Sequence, residues 1–149
     1  MNLKRYNVLI FLLTATLLGI GLMACSSTAR LPRLDNDDVV VAFGDSITFG
    51  TGANREESYP AVLEKLIGRR VVNAGVPGEV TADGLSRLPE ILAREKPALL
   101  ILCHGGNDLL RRLNDQQTAD NIRKMIRLAR QRGLAEAVAM LLKKSGAID

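Results

Sequence analysis

The sequence predicts an α/β protein built on a parallel sheet, and three observations carry that prediction. Short apolar strand-like runs occur at residues 39–43, 70–73 and 98–103, each followed by a glycine-containing turn. The first and third show no polar alternation, as expected of strands covered on both faces. Helical patterns separate the runs, and strand–helix–strand alternation requires right-handed crossovers and parallel pairing. Composition agrees with a globular domain, at 47% hydrophobic and 24% charged residues in 149. Net charge is +4, but Lys4 and Arg5 lie in the leader, and removing them leaves +2. That balance, with 3% aromatics and no Trp, argues against a nucleic-acid surface. Two cysteines form no disulfide framework.

The chain opens with a basic start and an eighteen-residue uncharged run at residues 8–25. That pattern predicts a secretory leader over residues 1–24. An uncleaved membrane span and ordinary cleavage are the alternatives, since eighteen residues just suffice to cross a bilayer. Leu22-Met23-Ala24-Cys25 followed by Ser26-Ser27 resembles a bacterial lipoprotein cleavage box, in which Cys25 becomes the lipidated first residue. Residues 25–38 then read as a polar tether, and residues 39–149 as the folded domain. All three readings place that domain outside the cytoplasm, and the lipoprotein reading anchors it to a membrane.

Val39-Val40-Val41-Ala42-Phe43 is the first buried strand, ended by Gly44. Ser58 is a candidate cap for a helix with Pro60 in its first turn, and Gly68 stops that helix. Residues 70–73 form the second strand. A helix follows from Thr81 to Glu95, with a break or restart expected at Pro89. Residues 98–103 form the third strand, with Cys103 as a buried core residue. Ile122, Met125, Ile126 and Ala129 line one face of a helix over residues 118–132, stopped by Gly133. Residues 134–144 are alanine-rich and predict one more helix instead of a fourth strand.

Ligands in such sheets bind beyond the carboxyl ends of the strands. Gly44-Asp45-Ser46-Ile47-Thr48 follows the first strand, Gly75-Val76-Pro77-Gly78 the second, and Gly105-Gly106-Asn107-Asp108 the third. A hydroxyl, glycine N–H groups and a side-chain amide at three neighbouring strand ends are the components of a nucleophile with an oxyanion hole. Taken singly, Ser46 reads equally as a helix cap and Asn107 as a loop residue. A dinucleotide site is disfavoured, because residues 44–52 do not spell G-x-G-x-x-G and no glycine loop carries a Walker lysine.

Together these blocks resemble the GDSL, or SGNH, hydrolases in their arylesterase and lysophospholipase-like branch. The similarity continues through Gly50-Thr51-Gly52, Ser58-Tyr59-Pro60-Ala61, Asn73-Ala74-Gly75 and Gly84-Leu85. The resemblance implies a flavodoxin-like three-layer α/β/α sandwich and a serine esterase acting on small esters or thioesters without a metal or other cofactor. It implies Ser46 as nucleophile, with the N–H groups of Ser46 and Gly78 and the Asn107 side chain as the oxyanion hole.

The family's closing Asp-x-x-His block is absent from these 149 residues, whose single histidine is His104. A serine hydroxyl is a weak nucleophile without a base. His104 occupies no position where the family keeps its base, so a strand-end packing or hydrogen-bonding role is expected for it. A Cys103–His104 dyad is disfavoured, since strand neighbours point to opposite faces. The expectation is an esterase cut short by a frameshift or stop near Gly133, with impaired activity. Its third strand would then form an open sheet edge, exposed to self-association. The alternative is a non-catalytic membrane-tethered module that binds acyl or glycan ligands.

Overall fold

The computed structural model describes residues 33–139. The leader over residues 1–24, Cys25 and the first part of the tether lie outside the described residues. The described chain forms one parallel sheet of four strands in the order β2-β1-β3-β4. These are β1 (Val40–Gly44), β2 (Val71–Gly75), β3 (Leu99–Cys103) and β4 (Ala135–Ala139). The helices are α1 (Ser46–Phe49), α2 (Tyr59–Ile67), α3 (Thr81–Glu95), α4 (Gly106–Leu110) and α5 (Asp115–Arg130).

Alternation along the strands divides the apolar side chains between two cores. Val41 and Phe43 of β1 join Leu100 and Leu102 of β3 on one face, where α3 packs through Leu88, Ile91 and Leu92, and α5 through Ile122, Met125 and Ala129. Val40, Ala42 and Leu99 point the other way, onto Tyr59, Leu63 and Ile67 of α2. The result is the three-layer α/β/α sandwich that the resemblance implies.

Four expectations are corrected. The helix expected over residues 134–144 does not form where the chain is described: the chain turns at Gly133 (φ 71°) and runs as β4, parallel to β3 from Leu99↔Ala135 to Cys103↔Ala139, and residues 140–144 lie outside the described residues. Unpaired N–H and C=O groups along β3 form a ladder waiting for a partner, and pairing with them outweighs the intrinsic helix preference of the alanines. Consequently β3 is an interior strand, and among the described residues the sheet edges are β2 and β4. Pro89 does not break α3 either, since the helix runs unbroken from Thr81 to Glu95 around it. The Ser58 hydroxyl does not cap α2: it donates to the Arg55 carbonyl at 2.9 Å. Finally, Cys103 is half-buried rather than part of the core.

The two apolar layers set an expected contrast. Met125 is fully buried between α5 and the sheet, whereas Leu66 on α2 is 78% exposed. Met125→Ala should lower stability by ~2–5 kcal/mol in urea denaturation, through lost burial and the cavity left behind. Leu66→Ala should stay within ~0.5 kcal/mol of wild type. Equal losses would mean that the layer assignment is wrong.

Candidate active site

Strand register brings three chain segments to one edge. Gly44 lies opposite Gly75 on β2 and opposite Cys103 on β3, so β1, β2 and β3 end level with one another. Each strand leads at once into one of the three blocks singled out in the sequence.

After β1, the Asp45 carboxylate accepts the Ile47 N–H at 3.0 Å and caps α1. The cap is therefore Asp45, and Ser46 is left as the first helical residue, partly exposed. Among the described residues the Ser46 hydroxyl makes no hydrogen bond, and neither does its N–H. An unengaged hydroxyl at a helix start, with free N–H groups around it, suits a developing negative charge.

After β2, Val76-Pro77-Gly78-Glu79 folds into a turn closed by the Glu79 N–H on the Val76 carbonyl at 3.2 Å. Proline at its second position and Gly78 at φ 77° are the type II pattern, which only glycine fills without strain. The turn bond uses the Glu79 N–H and leaves the Gly78 N–H unengaged among the described residues. Two contacts from α4 pin this turn: Asn107 Nδ2 donates to the Glu79 carbonyl at 3.0 Å, and Arg111 donates to the Gly78 carbonyl at 2.7 Å. Asn107 spends one amide proton in this way, and the other is available to a ligand.

Beneath the turn lies a buried polar cluster that sequence reasoning missed. Glu79 is 8% exposed, and its carboxylate takes both prongs of Arg87, at 2.9 and 2.7 Å, and His104 Nε2 at 3.0 Å. Burial by itself would raise the Glu79 carboxyl, but the Arg87 and His104 contacts outweigh it and hold the group below its ordinary 4.5. Arg87 also lies over the Phe43 ring, 4.2 Å from its centroid. His104 Nδ1 accepts the Gly105 N–H at 3.1 Å, so the ring proton sits on Nε2 and points at Glu79. With both nitrogens engaged, His104 has the hydrogen-bonding role expected of it and cannot take a proton from Ser46.

Asp108 joins the same end of the sheet from below. It accepts the Thr81 N–H at 2.9 Å, the Thr81 hydroxyl at 2.6 Å and the Thr118 hydroxyl at 3.2 Å, so α4 is tied to both α3 and α5. Burial pushes the Cys103 thiol up and nearby Asp45 adds to the effect, so Cys103 is not an activated nucleophile. A cavity of about 320 Å³ borders α1, lined by Phe49, Gly50, Ala53, Arg55, Asn73 and Gly75.

The architecture defines a class: parallel three-layer α/β proteins whose site is assembled from loops at the carboxyl ends of the strands. Comparison with known proteins narrows it. Residues 42–145 match the GDSL-like Lipase/Acylhydrolase family, to which this chain belongs. Esterase TesA of Pseudomonas aeruginosa is 36% identical over 117 residues, covering 75% of this chain and 58% of the relative. An arylesterase of Vibrio mimicus is 30% identical over 132 residues, covering 85% of this chain and 64% of the relative. The solved structure of AlinE4, an SGNH-hydrolase family esterase, superposes with a TM-score of 0.66 at 35% identity, over 71% of this chain and 60% of that one. The chain thus spans about three-fifths of the length of these relatives.

Two outcomes check this geometry. A Cβ on Gly84 of α3 would strike the His104 ring and press on Glu79. Alanine gains ~1 kcal/mol over glycine in a helix, yet overpacking a fixed buried ring costs ~1–3 kcal/mol. Gly84→Ala should therefore destabilise in urea titration, and stabilisation would show that His104 is not held there. The second outcome concerns acid. Because the folded Glu79 carboxyl lies below its unfolded value, its stabilisation is present above that value and is lost as pH falls through the folded one. The wild-type urea midpoint should fall between about pH 6 and about pH 3, and more steeply than that of Glu79→Gln. Parallel curves would remove Glu79 from the acid response.

Proposed function

We propose that this chain is a serine ester hydrolase acting on small carboxylic esters or thioesters, with Ser46 as nucleophile. The Ser46 oxygen bonds to the acyl carbon, and the carbonyl electrons move onto oxygen as the tetrahedral intermediate forms. The N–H groups of Ser46 and Gly78 and the spare Asn107 amide proton receive that oxyanion. Collapse breaks the bond to the leaving oxygen or sulfur, which takes up through solvent the proton that Ser46 gave up and departs as the alcohol or thiol. This leaves acyl-Ser46, which water cleaves to the acid and free Ser46. The observation that supports this reading is the set of unengaged groups at three level strand ends: one hydroxyl, two backbone N–H groups and one amide proton. The cavity beside α1 has room for part of the substrate. The named relatives are ester hydrolases, which favours catalysis over the binding-only alternative.

Attack also requires a base for the serine proton. Within these 149 residues the only imidazole is His104, which is spent on Glu79 and Gly105. The chain itself should therefore be slow, with transition-state binding supplied mainly by the oxyanion donors. The same reading includes export, with residues 1–24 as leader and lipidated Cys25 holding the domain on a membrane at the periplasmic or cell-surface side. Self-association runs through the β2 or β4 edge.

Aryl-ester turnover by the 149-residue chain should be Ser46-dependent and at least ~10³-fold below a relative with a complete triad. Ser46→Ala should abolish the protein-dependent rate, and Asn107→Ala should lower it by ~10²–10³-fold. Turnover that survives Ser46→Ala would overturn the assignment of the nucleophile.

A further inference from the structure

Exposed apolar side chains are concentrated at the edge of the sheet that carries Ser46. Of eight large hydrophobic side chains exposed among the described residues, six follow the carboxyl ends of β1, β2 and β3: Ile47, Phe49, Val76, Leu109, Leu110 and Leu113. Their densest group is the turn at residues 109–113, Leu-Leu-Arg-Arg-Leu, which closes α4 and precedes α5. Leu110 is 83% exposed there, with Leu109 at 41% and Leu113 at 43%. Arg111 and Arg112 are exposed between them, and Arg112 is held at φ 54°, an uncommon conformation for a non-glycine residue. Asp108 is buried and committed to Thr81 and Thr118, so the exposed Asp115, three residues past Arg112, is the one acid close in sequence that offsets part of this charge, and the turn keeps a net positive charge.

We propose that this turn docks on the surface of an anionic phospholipid bilayer, so that the edge bearing Ser46 faces the lipid. Charge and polarity both fit that occupant. Leucines flanking a pair of arginines match an apolar acyl layer beneath a layer of phosphate anions. Protein interfaces also favour arginine, but their hot spots are rich in Trp and Tyr and poor in leucine, whereas this turn has three leucines and no aromatic side chain. Chain length permits the arrangement as well. Leu34 packs on the core and residues 35–38 form a turn held by Arg69, which leaves residues 25–33 to span ~30 Å when extended, whereas five strand residues rise only ~17 Å. A chain anchored at Cys25 and entering at the amino end of β1 can therefore present its opposite edge to the same bilayer. The inference uses the anchor only for proximity and does not depend on turnover at Ser46.

Because the chain contains no Trp, single indoles report cleanly. Leu110→Trp and Leu66→Trp are prepared in the full chain and mixed with phosphatidylglycerol vesicles carrying brominated acyl chains. Docking predicts a blue shift and loss of roughly half or more of the emission for Leu110→Trp, with little change for Leu66→Trp. Adding Arg112→Glu to Leu110→Trp, or raising the salt, should reverse most of that quenching. Several results would overturn the proposal. One is co-flotation of the chain with vesicles while the position-110 indole stays unquenched, which leaves the leader as the sole attachment. Equal quenching at both positions, or equal quenching on phosphatidylcholine with no effect of Arg112→Glu, also overturns it. So does a blue shift without vesicles, which would mean that Leu110 packs on a second copy. Failure here leaves the Ser46 assay unaffected, and failure of that assay leaves this result standing.

Discussion

The geometry of the candidate site depends on a buried carboxylate that must be paired. Glu79 sits directly after Gly78 and is almost closed to solvent, where an unpaired charge would cost several kcal/mol. Arg87 from α3 and His104 from the end of β3 supply the partners, and the Glu79 carbonyl accepts the Asn107 amide from α4. One residue thus ties the loop after β2 to the loop after β3 through both its side chain and its main chain. The Gly78 N–H and the Asn107 amide are oriented by the same junction, so the two donors are placed as a unit.

Local rules give way around that junction in ways that tertiary contacts repair. The cap position before α3 is Val80, which has no side chain able to cap the helix, and the first helical N–H, that of Thr81, is satisfied by Asp108 from α4. Helix α4 is a single short stretch that could not persist alone. It is held because Asp108 reaches Thr81 and Thr118 while Asn107 and Arg111 grip the turn after β2. The segment that presents Asn107 is therefore anchored at four points along five residues. Its far end, the leucine–arginine turn, projects into solvent.

In the proposed reading, acyl transfer needs a nucleophile, oxyanion donors and a base. The first two come from loops after β1, β2 and β3, which the described chain contains in full. His104, the one imidazole in these 149 residues, serves the architecture of the donors instead of proton transfer. Its neighbour Cys103 is likewise kept as a thiol by burial and by Asp45.

Much of this was legible in the residues alone. Apolar runs and glycine stops placed β1, β2, β3, α2 and α5 within a few positions, because buried strands and amphipathic helices write their period into sequence. The family blocks around Ser46, Gly78 and Asn107 were equally visible, since each is a short contiguous segment. The sequence could not reveal that Glu79, Arg87 and His104 would meet, because no spacing rule links an acid before a helix, a cation two turns into it and an imidazole at a later strand end. Nor could it distinguish a helix from a strand at residues 135–139. That choice rested on the open backbone groups of β3, a partner that exists only once the sheet has formed.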